Sequence, residues 1–166
     1  MASVVIIMGS KSDIPHAQAI TAALEEFGVS SEMRVASAHK SARHVLDMLA
    51  AYEQDEGPRV IVTVAGRSNA LGGMVDANTT WPVITCPPVS SAFAGADVFS
   101  SLRMPSGVAP LLVLEPGAAA LAAAKILALG DSELRERLRA YQSDLTEAIV
   151  TDDQEVRASS RLARNS

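Results

Sequence analysis

A hydroxyl, an imidazole and an ammonium stand together at Ser37-Ala38-His39-Lys40. An imidazole can take up and return a proton near neutral pH, and a neighbouring ammonium can hold an anion. Two other stretches carry compatible chemistry. Gly9-Ser10-Lys11-Ser12-Asp13 follows an apolar run and offers hydroxyls and a carboxylate, while Gly66-Arg67-Ser68-Asn69-Ala70-Leu71-Gly72-Gly73 is glycine-rich and polar. The first of these has the layout of a phosphate cradle. It holds a single glycine, so it matches neither the dinucleotide fingerprint nor the Walker A pattern, and it suits equally a polar turn with Asp13 as a helix cap. Only three lysines occur, and Lys11 and Lys40 both fall in these loops.

The remaining candidates carry less. His16 and His44 lie early in helical segments, where a solvated or capping imidazole is the ordinary finding, and the histidines show no zinc-site spacing, so no metal is expected. Cys86, the one cysteine, sits between a strand and two prolines and reads as a buried structural thiol. Ser68 lacks the Gly-x-Ser-x-Gly elbow of a hydrolase. A Schiff-base role for Lys40 would need a desolvated pocket. Arg103 suits either an anion or a contact within its own loop or between subunits.

The elements that must position these residues alternate between strand and helix. Val4-Val5-Ile6-Ile7-Met8 is apolar without alternation, as in a parallel strand buried on both faces, and Val60 to Ala65 reads the same way. Between and after them come a strand over Ser30–Ala36 and helices with apolar faces at Ala17, Ile20, Leu24 and Phe27 and at Val45, Met48, Leu49 and Tyr52. Three βα units in a row imply a doubly wound parallel sheet with right-handed crossovers. All three polar loops then leave the carboxyl edge of that sheet, where ligands of open α/β folds bind. Short strands follow at Pro82–Thr85 and Leu111–Leu114, separated by a loop over Val89–Gly107 that is too long for a simple connector. The small-residue helix from Ala118 to Ala128 suits burial against both the sheet and another subunit. The amphipathic helix from Asp131 to Thr151 suits a contact between subunits, and the charged segment 152–166 is expected to be frayed. The organisation is a single domain over 1–151 followed by that tail.

Composition narrows the class. With 166 residues, 48% hydrophobic content, 4% aromatics and a formal charge of -5, the chain can bury a core but lacks the basic and aromatic surface of a nucleic-acid binder. No segment is long and apolar enough to span a membrane. A single cysteine and no signal peptide lead to the expectation of a cytoplasmic protein.

Four motifs in order, Gly9-Ser10-Lys11-Ser12-Asp13, Ser37-Ala38-His39-Lys40, Ala65-Gly66-Arg67-Ser68-Asn69 and Ser100 to Gly107, resemble the phosphoribosylaminoimidazole carboxylase family of purine biosynthesis. The resemblance runs from Val4 to the last helix. It implies a flavodoxin-like three-layer α/β/α sandwich with a central parallel sheet, assembled as a homo-oligomer, an octamer or else a tetramer. One branch of the family is a mutase acting on N5-carboxyaminoimidazole ribonucleotide, usually with Ser-Ala-His-Arg and a histidine-bearing glycine loop. The other, class II, carboxylates aminoimidazole ribonucleotide directly with carbon dioxide. Lys40 and the histidine-free Arg67-Ser68-Asn69 loop resemble class II, in a stand-alone bacterial form. By the same resemblance Ser10, Ser12, Asp13 and Ser37 hold the ribose phosphate end, and His39 moves the proton. Lys40 binds substrate and carboxylate, Gly66 and Ser68 line the carbon dioxide pocket, Arg67 and Asn69 are further neighbours of the site, and Arg103 is a neighbour only where the site is shared between subunits. The resemblance calls for no cofactor, neither ATP nor biotin. A nucleotide-binding module on the same fold is the non-enzyme alternative.

Overall fold

The computed structural model describes residues 3–55 and 57–162. Its centre is a five-stranded sheet, β1 Ser3–Met8, β2 Ser30–Val35, β3 Arg59–Val64, β4 Val83–Thr85 and β5 Leu111–Leu112, in the order β2-β1-β3-β4-β5 with every pair parallel. That is the flavodoxin-like doubly wound order. The apolar runs explain why β1 and β3 are central: Val4, Ile6 and Ile7 have no exposed surface, and neither do Val60, Ile61 and Val62. Side chains of a strand point to alternate faces. Val4, Ile6 and Met8 accordingly enter one core with α1 Ile14–Glu26 and α4 Pro116–Leu127, and Val5 and Ile7 enter another with α2 Ala42–Tyr52 and α3 Ala70–Asp76. Two cores on opposite faces of one sheet make the three layers.

Local chemistry sets the elements that matter for the site. Ser41 accepts a hydrogen bond from the Ser37 amide at 2.9 Å, and its own hydroxyl donates to the Ser37 carbonyl at 3.3 Å, so the turn before α2 is tied at both ends. Asp13 does not cap α1 forward. Its carboxylate instead reaches back to accept from the Ser10 amide at 3.0 Å and the Ser10 hydroxyl at 3.2 Å, closing a short 3-10 turn over Lys11–Asp13. Pro15 occupies the first turn of α1, where its missing N–H costs no bond. Gly72 in α3 is required by space: a Cβ there would lie 2.2 Å from Thr85 Cγ2 and 2.4 Å from Asn69 Oδ1.

The structure differs from the sequence expectations at four places. The long loop after β4 contains 3-10 turns over Ala92–Ser101, and β5 stops at Leu112. The buried alanines of α4, Ala119, Ala120, Ala123 and Ala124, are used within the chain, in the α1-side core, because small residues let helix and sheet approach closely. They therefore give no ground of their own for a second subunit. The last helix, α5 Ser132–Leu162, continues 11 residues past Thr151, where a frayed tail was expected. Asp131 caps it, accepting from the Leu134 amide at 2.9 Å, and Phe27 meets Tyr141 edge-on at 5.1 Å between ring centres. Beyond Tyr141 the helix is exposed, and ion pairs such as Arg157–Asp153 along its surface favour the helical backbone. Residues 163–166 of the expected tail lie outside the described residues. No helix among the described residues is long and apolar enough to cross a membrane.

Candidate active site

The loops after β1, β2 and β3 converge on one cleft of about 440 Å³, a volume suited to a small-molecule ligand. It opens at the β1/β3 boundary, where the strand order reverses and such folds bind their ligands. Ser10, Ser12 and Asp13 come from the first loop, Ser37, His39 and Lys40 from the second, and Gly66, Arg67 and Ser68 from the third. The backbones of the first and third loops are held together: the Gly9 amide donates to the Val64 carbonyl at 2.8 Å, and a Cβ on Gly9 would stand 3.3 Å from that of Ala65.

Within the cleft the polar groups are ordered among themselves. The Ser10 and Ser12 hydroxyl oxygens are 2.6 Å apart beside the Asp13 carboxylate, a cluster of donors and acceptors that can be redirected to ribose hydroxyls or phosphate oxygens. Ser37 Oγ accepts from the Lys40 amide at 3.3 Å, which fixes the turn that presents His39. His39 and Lys40 are exposed, so the imidazole is open to a bound molecule and Lys40 lacks the desolvated setting a Schiff-base lysine needs. The third loop makes the tightest turn. The Ser68 amide donates to the Gly66 carbonyl at 2.8 Å, two residues back, and Arg67 between them has φ of 66°. A non-glycine residue in this conformation carries backbone strain.

Two further residues named for the site do not reach the cleft within this chain. Asn69 is buried at the start of α3, its amide donating to Ser100 Oγ at 3.0 Å, and Arg103 is exposed on the loop after Ser101; neither lines the cleft. Ala38, Ala65 and Leu71 line it without having been singled out, because apolar wall residues leave no chemical signature in a sequence. A second, more enclosed cavity of about 180 Å³ shares the wall Ala65–Ser68 with the cleft and holds Asp97, also unforeseen. A lone acid in an otherwise small and apolar loop was the available signal.

His16 is half-buried rather than solvated. Its Nε2 lies 3.3 Å from Cys86 Sγ, and burial lowers its pKa against the opposing influence of Cys86, Asp13 and Glu115. Cys86 is fully buried as expected, and burial pushes its thiol pKa up to about 12. Among the described residues no group of His, Cys, Asp and Glu is placed to hold a metal ion.

With this geometry in place, the comparisons with known proteins decide the family. The sequence model of AIR carboxylase matches residues 3–148. The chain belongs to the AIR carboxylase family. It is 54% identical over 153 residues to the phosphoribosylaminoimidazole carboxylase of Archaeoglobus fulgidus, covering 92% of this chain and 84% of that one. The enzyme of the same name from Treponema denticola is 48% identical over 154 residues, covering 93% and 97%. The crystal structure of Treponema denticola PurE superposes with a TM-score of 0.91 at 48% identity, over 93% of this chain and 98% of that one. As a member of the AIR carboxylase family, the chain is an enzyme of purine biosynthesis with a small-molecule substrate.

Proposed function

We propose that the cleft binds aminoimidazole ribonucleotide and joins its C4 to carbon dioxide, with His39 as the catalytic residue. The observation that carries this reading is the convergence of the His39 imidazole with the Ser10–Asp13 cluster and the Gly66–Ser68 turn on one cleft. The ribose and phosphate fit the hydroxyl-rich side, where Ser10, Ser12 and Ser37 offer hydroxyls and Asp13 accepts from ribose. The imidazole ring then lies between His39, Lys40 and the Gly66–Ser68 turn.

Carboxylation needs little beyond placement. The ring is an enamine, and the electron pair at C4 forms the new carbon–carbon bond while carbon dioxide takes up a pair as carboxylate. Holding both reactants in one site supplies the advantage of proximity. C4 then bears hydrogen and carboxylate together, and His39 removes that proton so that the C–H pair restores the aromatic ring. Lys40 balances the new carboxylate. The reverse sequence is decarboxylation, with His39 returning the proton.

The test is to supply the purified protein with aminoimidazole ribonucleotide and bicarbonate and to follow the C4-carboxylated product. Product from that mixture supports the direct carboxylase. Product only from N5-carboxyaminoimidazole ribonucleotide assigns the mutase branch, and binding of both without turnover assigns the binding module. The reading extends to a cytoplasmic homo-oligomer, an octamer or else a tetramer. What supports assembly is the apolar stripe that α5 leaves uncovered, with Leu145 51% and Ile149 69% exposed.

A further inference from the structure

Asp97 has no role in the chemistry above, yet its setting is unusual. Both carboxylate oxygens are shut off from solvent and have no hydrogen-bond partner among the described residues. It lines the smaller cavity together with apolar Pro88, Val98 and Leu114 and with Ser68, Ser90, Ser100 and Ser101, none of whose hydroxyls bonds its carboxylate. A buried carboxylate is tolerated when a counter-charge meets it and is strongly unfavourable alone.

One cation is within the same enclosure. Arg67 borders this cavity, the nucleotide cleft and a third hollow whose walls are Arg67, Ala92, Ala96 and Asp97. Among the described residues it is the one cationic side chain on the walls that Asp97 also lines, and it forms no ion pair of its own. Its backbone is held at φ of 66° by the Gly66–Ser68 turn, strain that a glycine would avoid. Retaining an arginine there points to use of the side chain. The bond from the Asn69 amide to Ser100 Oγ ties the Arg67 turn to the segment carrying Asp97.

We infer that Asp97 is a positioning residue for Arg67: its carboxylate receives the guanidinium and fixes it on the wall shared by the enclosed cavity and the nucleotide cleft. This rests on the reading of the cleft given above. The planar guanidinium can bind a carboxylate through two of its N–H groups and still offer others to a second acceptor. Carboxylation creates such an acceptor, because an uncharged ring carbon and carbon dioxide become a ring carboxylate. A guanidinium held by Asp97 meets that charge without first having to be ordered, and it favours the carboxylated nucleotide over the uncarboxylated one.

The experiment is a cycle of Arg67→Gln, Asp97→Asn and the double variant with two measurements. In thermal unfolding of the free protein, Arg67→Gln lowers the midpoint by leaving the carboxylate alone, and adding Asp97→Asn restores it. If Asp97→Asn shifts the midpoint equally in both backgrounds, the pairing is wrong. If it instead lowers the oligomer mass in sedimentation, the counter-charge belongs to a second copy and the pairing with Arg67 is equally wrong. In calorimetric titration, Asp97→Asn weakens binding of the C4-carboxylated nucleotide about tenfold and leaves that of aminoimidazole ribonucleotide unchanged. Equal loss for the two nucleotides overturns the positioning role. Should the unaltered protein bind neither nucleotide, the proposed function falls, and the unfolding cycle still decides the pair.

Discussion

His39 is exposed at the tip of a turn whose geometry is fixed by Ser37 and Ser41, so its side chain can be changed without disturbing the fold. His39→Asn is therefore expected to cut turnover by about 10²- to 10⁴-fold while nucleotide affinity, read by calorimetry, stays near that of the unaltered protein. Gly72→Ala acts in the opposite way. The added methyl meets Thr85 and Asn69 well inside contact distance, and the expected cost is about 1–3 kcal/mol of stability in denaturant titration. His16 makes the protein sensitive to acid. Burial lowers its pKa from the ordinary 6.5, so below that pH the unfolded chain binds a proton that the native state resists. Stability should then fall as pH drops below 6.5, and His16→Gln should flatten the fall in urea titrations at stepped pH. Cys86 acts at the other end of the scale. Its native pKa of about 12 means that the native state keeps a proton which the unfolded thiol releases above 9, so stability is lost as pH rises through that interval.

The elements differ in how openly the chain announces them. β1 and β3 are readable because a strand buried on both faces must be apolar throughout, and α1 and α2 because each keeps one apolar face. The site was readable for the same reason: once three βα units are counted, the edge where their loops meet follows from topology. The 3-10 turns over Ala92–Ser101 and the Asp97 they place in the second cavity were not, since such turns are selected by tertiary contacts rather than by periodicity. Asp13 shows a subtler limit, because a residue that can cap the helix ahead can also close the turn behind, and only the fold selects between them. The extent of α5 was hidden because its last turns have no buried face within the chain. Leu145 and Ile149 lie four residues apart on that uncovered part, one turn from each other. Replacing both with glutamate is expected to leave the helical signal in circular dichroism intact and to lower the assembly mass in sedimentation. An unchanged mass would remove α5 as the assembly surface.

At the scale of the whole molecule, the arrangement β2-β1-β3-β4-β5 places the strand made earliest among the five at an interior position. Every neighbouring pair is parallel, so no two strands can be joined by a tight hairpin and each pairing closes a loop of chain. Val4 pairs with Ser31 on one side and with Val60 on the other. On a ribosome, the apolar segment Val4–Met8 has to wait for more than fifty further residues before its second edge is covered, and through that interval it is open to wrong partners. Slow folding is the general expectation for such non-local pairing, and the β1–β3 seam is where its barrier should be set. Val62→Ala should accordingly retard refolding in stopped-flow, whereas Leu138→Ala, in the peripheral α5, should chiefly hasten unfolding. The central strand that aims the first loop into the cleft is thus also the segment whose exposure during synthesis gives a chaperone its time to act.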